Sequence, residues 1–233
     1  MTQQLTLDVS LDKNKTIKNF YAAGNIEAVI QLDEFVKNPT HHLLFLWGSI
    51  GVGKTHLLQA AANLALNINK RAIYLTLKNI LSNDSEDLNF TIFDNLESMD
   101  LVCLDDIDSL KNNIFWQEQL FHLYNRCMEN NCSLLLAASA SLSALNLELA
   151  DLESRVKSGL SYHLNSLTDE NKALALQFVA GKRGLKLPLE SVNYLIKRLS
   201  RDNYTLFSFL ETLDQVSLAQ KRNLTIPFIK SLL

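Results

Sequence analysis

Through the first two thirds of the chain, short apolar runs alternate with longer stretches in which apolar residues recur every three or four positions. The runs predict strands over Leu43–Trp47, Ala72–Thr76, Leu101–Leu104, Ser133–Ala138 and Ser161–Leu164. The periodic stretches predict helices over Ile26–Val36, Lys54–Asn67, Glu86–Leu96 and Ile114–Glu129, with a weaker one near Leu142–Leu149. Strands that alternate with helices and are apolar throughout imply a parallel sheet covered on both faces. After Leu167 the strand signals stop. Thr168-Asp169-Glu170-Asn171 has the composition of a helix start, with Thr168 as its cap. Helices are predicted to follow over Asp169–Arg183, Leu189–Ser200, Tyr204–Lys221 and Ile226–Leu232. Three regions are therefore expected: an extended tail over 1–15, an α/β domain over 16–166 and a small helical domain over 167–233.

Between the first strand and the helix after it, residues 48–55 read Gly-Ser-Ile-Gly-Val-Gly-Lys-Thr, a complete G-x-x-x-x-G-K-[ST] phosphate-binding pattern. Gly48, Gly51 and Gly53 allow successive backbone N–H groups to converge on phosphate oxygens, and the helix start adds a favourable dipole. Lys54 is expected to reach the β/γ-phosphates, and Thr55 to hold Mg²⁺. About fifty residues later an apolar run ends in Asp105-Asp106, the Walker B arrangement. Asp105 is expected to orient the metal's shell, and Asp106 to lie where a base polarises the attacking water. The strand at Ser133–Ala138 leads to Ser139, the one polar candidate there for positioning water. Slow self-hydrolysis is expected from so sparse a set.

Composition narrows the partners. A net charge of −3 supplies no global positive field for nucleic acid, so DNA contact is expected to be indirect or weak. No apolar stretch is long enough to span a membrane, and Met1-Thr2-Gln3-Gln4 has no signal-peptide character, so a cytoplasmic location is expected. Cys103, Cys127 and Cys132 lack metal-ligand spacing and read as small buried hydrophobes.

The phosphate loop, the Asp-Asp strand, the helical C-terminal region and Asn19-Phe20-Tyr21-Ala22-Ala23-Gly24-Asn25 together resemble the AAA+ ATPase domain of the bacterial replication initiator DnaA. That resemblance implies an AAA+ P-loop sheet followed by a small all-α lid, binding ADP or ATP with Mg²⁺. It implies nucleotide contacts from Phe20, Gly24 and Asn25 at the base and from Gly48, Gly51, Val52, Gly53, Lys54, Thr55 and His56 at the phosphates. Asp105, Asp106 and Ser139 complete the implied set, with Arg201 and Tyr204 from the lid. Tyr204 stands where the family's lid carries a nucleotide-contacting arginine, and Arg201 precedes it by three residues. Within the family, the chain is similar to the short regulators that inactivate the initiator once replication has started. They carry the ATPase core without the initiator's N-terminal domain or its helix-turn-helix domain.

Two further segments fit that branch. Gln4-Leu5-Thr6-Leu7-Asp8-Val9 resembles the peptide by which many proteins bind the DNA polymerase III beta sliding clamp, with Gln4, Leu5, Leu7 and Val9 as contacts. An amide followed by alternating leucines in an extended tail suits an apolar pocket on a partner, although an edge strand or a plain tail has the same pattern. Asp151-Leu152-Glu153-Ser154-Arg155-Val156 is similar to the family's Leu-x-Ser-Arg stretch, which makes Arg155 an arginine finger acting on a neighbour's γ-phosphate. From the residues alone, Arg155 could instead pair with Asp151 or Glu153 on the surface. The resemblance thus implies a negative regulator that stimulates hydrolysis of ATP on DnaA. Its implied partners are DnaA, the clamp and further copies of itself, as a homodimer or higher oligomer. The alternative is an autonomous AAA+ ATPase of helicase-loader type.

Overall fold

The computed structural model describes residues 11–81, 92–199, 203–220 and 223–233. The clamp-type peptide at Gln4, Leu5, Leu7 and Val9, and the lid residue Arg201, lie outside these described residues. Five strands, β1 (Leu43–Trp47), β2 (Ala72–Thr76), β3 (Leu101–Asp105), β4 (Ser133–Ala138) and β5 (Leu160–His163), form one sheet in the order β2-β3-β4-β1-β5. Every pairing is parallel. Strands β3 and β4 are buried at every position, as expected where both faces are covered. The edge strand β5 alternates between partly buried and exposed residues.

Helices α1 (Ile26–Lys37), α2 (Lys54–Asn67) and α3 (Leu77–Leu81) precede β3, and α4 (Ile114–Glu129) joins it to β4. After β4 come α5 (Leu142–Leu145) and α6 (Ala150–Ser158). Helix α2 buries Ala60, Ala61, Ala62 and Ala65 beside Leu57 and Leu58, and these small residues let its backbone lie close to the sheet. Its polar stripe holds the chain that precedes α1. Asn63 donates to the carbonyls of Asp12 and Lys15, Gln59 accepts from the Asp12 amide, and the His56 ring meets the Thr16 carbonyl at 2.9 Å. The chain is therefore anchored from Asp12 onward.

Two helix ends are corrected. Of the helix expected over Glu86–Leu96, residues 86–91 lie outside the described residues; residues 92–95 form turns and Leu96–Ser98 a 3₁₀ turn, and Asn95 takes a left-handed φ of 62° that an α-helix excludes. The helix expected near Leu142–Leu149 ends at Leu145, where Asn146 turns left-handed at φ 49°, and α6 begins separately at Ala150.

Two compact units divide the contacts. The first contains Glu27–Gly48, Lys54–His163 and the described part of Met1–Ile17; the second contains Lys18–Ile26, Ser49–Gly53 and Leu164–Leu233. Helices α7 (Asp169–Lys182), α8 (Leu189–Arg198), α9 (Asn203–Gln220) and α10 (Ile226–Lys230) build the second unit around Leu176, Leu195, Leu206, Leu210, Leu213 and Phe228. Each such side chain contributes about 1.5–3 kcal/mol on burial. Thr168 caps α7 by accepting the Asn171 amide. No helix among the described residues is long and apolar enough to cross a membrane.

One close approach in the first unit is testable. A Cβ on Gly159, just before β5, would lie 2.8 Å from the Leu43 carbonyl oxygen at the start of β1. Gly159→Ala must displace backbone, and we expect it to cost about 1–3 kcal/mol in urea unfolding. An unchanged midpoint would mean that the β1–β5 pairing has more slack than this packing shows.

Candidate nucleotide site

The phosphate loop leaves β1 at Trp47 and enters α2 at Lys54. Gly51 and Gly53 adopt φ of +84° and +99°, where L side chains are strained. Space excludes a side chain as well. A Cβ on Gly53 would meet the Phe20 ring at 2.5 Å, and one on Gly51 would meet the Tyr204 backbone nitrogen at 2.9 Å. In the second unit, Phe20 and the start of α9 therefore both pack on the loop. Val52 is buried, with its amide directed to the Ser49 carbonyl at 3.4 Å, whereas Tyr204 is 66% exposed.

The Gly24-Asn25 pair has a clear local role. Asn25, 5% exposed, donates to the Asn165 carbonyl at 3.0 Å and accepts the Asn165 amide at 2.7 Å. The Asn165 side chain donates in turn to the Gly24 carbonyl. Tyr21 packs 5.6 Å from Phe178 between ring centroids, and its hydroxyl points at Asn171 Oδ1. This clamp fixes residues 20–25 against the start of the helical region within the second unit.

In the first unit, the polar residues gather at the carboxyl ends of β1, β3 and β4. Lys54, 8% exposed, donates to the Gly48 carbonyl at 2.6 Å. Burial holds its ammonium pKa below the ordinary lysine value, while Asp105, Asp108 and Asp106 act in the opposite sense. Asp105, 1% exposed, ends β3. Its carboxylate accepts from the Thr55 hydroxyl at 2.6 Å, the Tyr74 hydroxyl at 3.1 Å and the Asp106 amide at 3.0 Å. Burial, and then the Asp105 charge, raise the Tyr74 pKa, so that hydroxyl stays a donor. Asp106 sits left-handed at φ 57°, and burial followed by the Asp105 and Asp108 charges raises its pKa. Ser139 donates its amide and its hydroxyl to the Asp108 carboxylate, at 2.8 and 2.6 Å. His56, expected among the phosphate contacts, has its ring at the Thr16 carbonyl.

The Thr55 hydroxyl and the Asp105 carboxylate are hard oxygen donors already within 2.6 Å of each other, which suits magnesium. Among the described residues, no group of three or more His, Cys, Asp or Glu could hold a metal by itself.

Tyr74, Asp108 and Asn165 escaped the sequence reading. Tyr74 lies inside an apolar run, and it reaches Asp105 only because parallel pairing sets Tyr74 opposite Cys103 and Thr76 opposite Asp105. Asn25 and Asn165 are 140 residues apart, and no spacing rule connects them.

Arg155 is exposed on α6. Glu153 pairs with Lys157 at 2.6 Å. The Arg155 guanidinium instead lies 5.9 Å from the centroid of the Tyr124 ring.

Comparison with known proteins adds the lineage. Residues 11–166 match the model of the bacterial DnaA ATPase domain, and residues 169–233 match that of the Hda lid domain. A Haemophilus influenzae protein described as uncharacterized is 42% identical over 237 residues, which spans 100% of this chain and 99% of that protein. Domain III of the Thermotoga maritima replication initiation protein DnaA superposes with a TM-score of 0.81 at 22% identity, covering 96% of this chain and 97% of that one. AMPPCP-bound DnaA from Aquifex aeolicus gives 0.70 at 24% identity, over 87% and 66%. At these identities the structural likeness establishes the AAA+ fold with its helical lid.

The raised Asp106 pKa has a measurable consequence. The folded state binds this proton more tightly than the unfolded chain, so stability is lost as pH rises from the ordinary carboxylate range through the raised pKa, above which ionised Asp106 carries the full penalty. Asp106→Asn also suits the left-handed backbone. We expect the variant to be more stable than the parent chain at pH 7 in urea unfolding, with the gain shrinking as pH falls through the raised pKa toward the ordinary carboxylate range. Equal or lower stability at pH 7 would contradict this electrostatic account.

Proposed function

Because the chain belongs to the DnaA-related AAA+ ATPases and carries a lid of Hda type, we propose that it is a negative regulator of bacterial replication initiation. In this reading ADP or ATP, with Mg²⁺, orders the core through the loop at Gly48–Thr55 and through Asp105. The helical region from residue 167 onward serves as the lid. Bound magnesium would neutralise phosphate charge, held by Thr55 and Asp105. The tail peptide at Gln4, Leu5, Leu7 and Val9 docks on the polymerase III sliding clamp. Arg155 reaches the γ-phosphate of ATP bound to DnaA and promotes its hydrolysis, so the chemistry takes place in the partner's site. The regulator works in the cytoplasm and meets DNA chiefly through the clamp.

The observation that carries this reading is the state of Arg155. It is exposed and held over an aromatic ring, while its acidic neighbour Glu153 is engaged with Lys157. A guanidinium so placed keeps its fork of donors for an incoming phosphate. The polar groups of the chain's own site point the same way. Asp105 is already satisfied by Thr55 and Tyr74, and the Ser139 hydroxyl is directed to Asp108. Those commitments favour nucleotide retention over rapid turnover. The intact Lys54, Thr55, Asp105 and Asp106 set favours the other reading, an autonomous ATPase of helicase-loader type.

Hydrolysis of labelled ATP on purified DnaA, with clamp loaded on DNA and with this chain plus ADP, separates the two. We expect acceleration that vanishes without clamp, and Arg155→Ala to remove roughly 10³–10⁵-fold of rate if the finger operates as such residues do elsewhere. Full stimulation by Arg155→Ala would refute the finger. Rapid ATP turnover by the chain alone, with no effect on DnaA, would select the autonomous ATPase. Leu5→Ala combined with Leu7→Ala is expected to weaken clamp binding in a titration while leaving nucleotide affinity unchanged; unaltered clamp affinity would remove the tail from the mechanism.

A further inference from the structure

Helix α6, which carries Arg155, has no side chain of its own capping its N-terminus, and its cap position is Leu149. The turn that leads into it is held from α4. Gln117, fully buried at 0% exposure, accepts the amides of Glu148 and Leu149 at 2.8 and 3.0 Å. Its own amide donates to the Leu110 carbonyl at 3.0 Å. Seven residues further along α4, two turns on and hence on the same face, Tyr124 places its ring under the Arg155 guanidinium. Tyr124 is 8% exposed, so its ring is fixed by the core while the arginine it supports is exposed.

We propose that Gln117 and Tyr124 are positioning residues for Arg155: one fixes the start of its helix and the other its guanidinium, so the arginine is presented in one orientation before a partner arrives. The inference rests on the arginine-finger reading of Arg155. A long side chain pays conformational entropy when it is immobilised on binding, and an aromatic platform reduces that cost in advance. Preorganisation matters most at the transition state, where a misplacement of about 1 Å can cost on the order of 100-fold in rate. The effect therefore belongs in the maximal rate of the partner's hydrolysis rather than in the concentration needed to bind it.

The test uses the full chain with ADP, DnaA and clamp loaded on DNA, varying the concentration of this chain. Tyr124→Leu is expected to lower the maximal stimulated rate roughly 10- to 100-fold while the half-saturating concentration changes little. Tyr124→Phe, which keeps the platform, should restore most of the rate. Adding Tyr124→Leu to Arg155→Ala should cause no further loss, because the two substitutions remove one function. Gln117→Met, close in volume but without the acceptor for Glu148 and Leu149, should also lower the maximal stimulated rate, with its unfolding midpoint measured alongside. If Arg155→Ala itself stimulates fully, the finger reading fails. If Arg155→Ala is inactive yet Tyr124→Leu matches the parent maximal rate, or Tyr124→Phe loses as much as Tyr124→Leu, the positioning role alone is overturned.

Discussion

An all-parallel sheet buried on both faces permits polar chemistry only where its strands end. Strands β1, β3 and β4 are apolar along almost their whole length, and parallel pairing turns all their carboxyl ends to the same edge. The order β2-β3-β4-β1-β5 then brings the ends of β1, β3 and β4 side by side. Gly48, Asp105 and Ser139 follow from that arrangement, since each stands at the end of one of these strands. Open α/β sheets place ligands in this position for the same reason.

Bringing those groups together creates an electrostatic demand. A carboxylate at 1% exposure must be hydrogen-bonded or paired, because an isolated buried charge costs several kcal/mol. Asp105 meets the demand with two hydroxyls and an amide, and the buried Lys54 ammonium lies in the field of Asp105, Asp106 and Asp108. The excess of carboxylates over buried ammonium in this cluster suits magnesium. The same satisfaction commits the Thr55, Tyr74 and Ser139 hydroxyls to carboxylates, which supports the proposal that hydrolysis takes place in a partner's site.

Structural support for function is spread well beyond the motif residues. Helix α4 contributes nothing to the phosphate pattern, yet Gln117 and Tyr124 tie it to α6 at the helix start and at Arg155. In the second unit, Asn165 does comparable work by gripping Gly24 and Asn25 through both backbone and side chain. These are ordinary amide and aromatic contacts, each worth about 1 kcal/mol, that become consequential through what they orient.

Local physics made much of this molecule legible from its residues. Five apolar runs identified the strands, glycine spacing marked the phosphate loop, and three- and four-residue periodicity marked the helices of the C-terminal region. Those signals are local, set by period, backbone freedom and side-chain volume, and are written into short windows of chain. Where a local signal misled, at Leu142–Leu149, the competing influence was a left-handed Asn146 and acceptor bonds from Gln117, 29 residues before it in sequence. Tertiary structure alone decided that Tyr74 would meet Asp105, that Asp108 would bind Ser139, that Asn165 would hold Asn25 and that Arg155 would rest on Tyr124. Each of these pairs spans 31 or more residues, and a contact at that distance depends on strand order and helix packing, which no local window encodes.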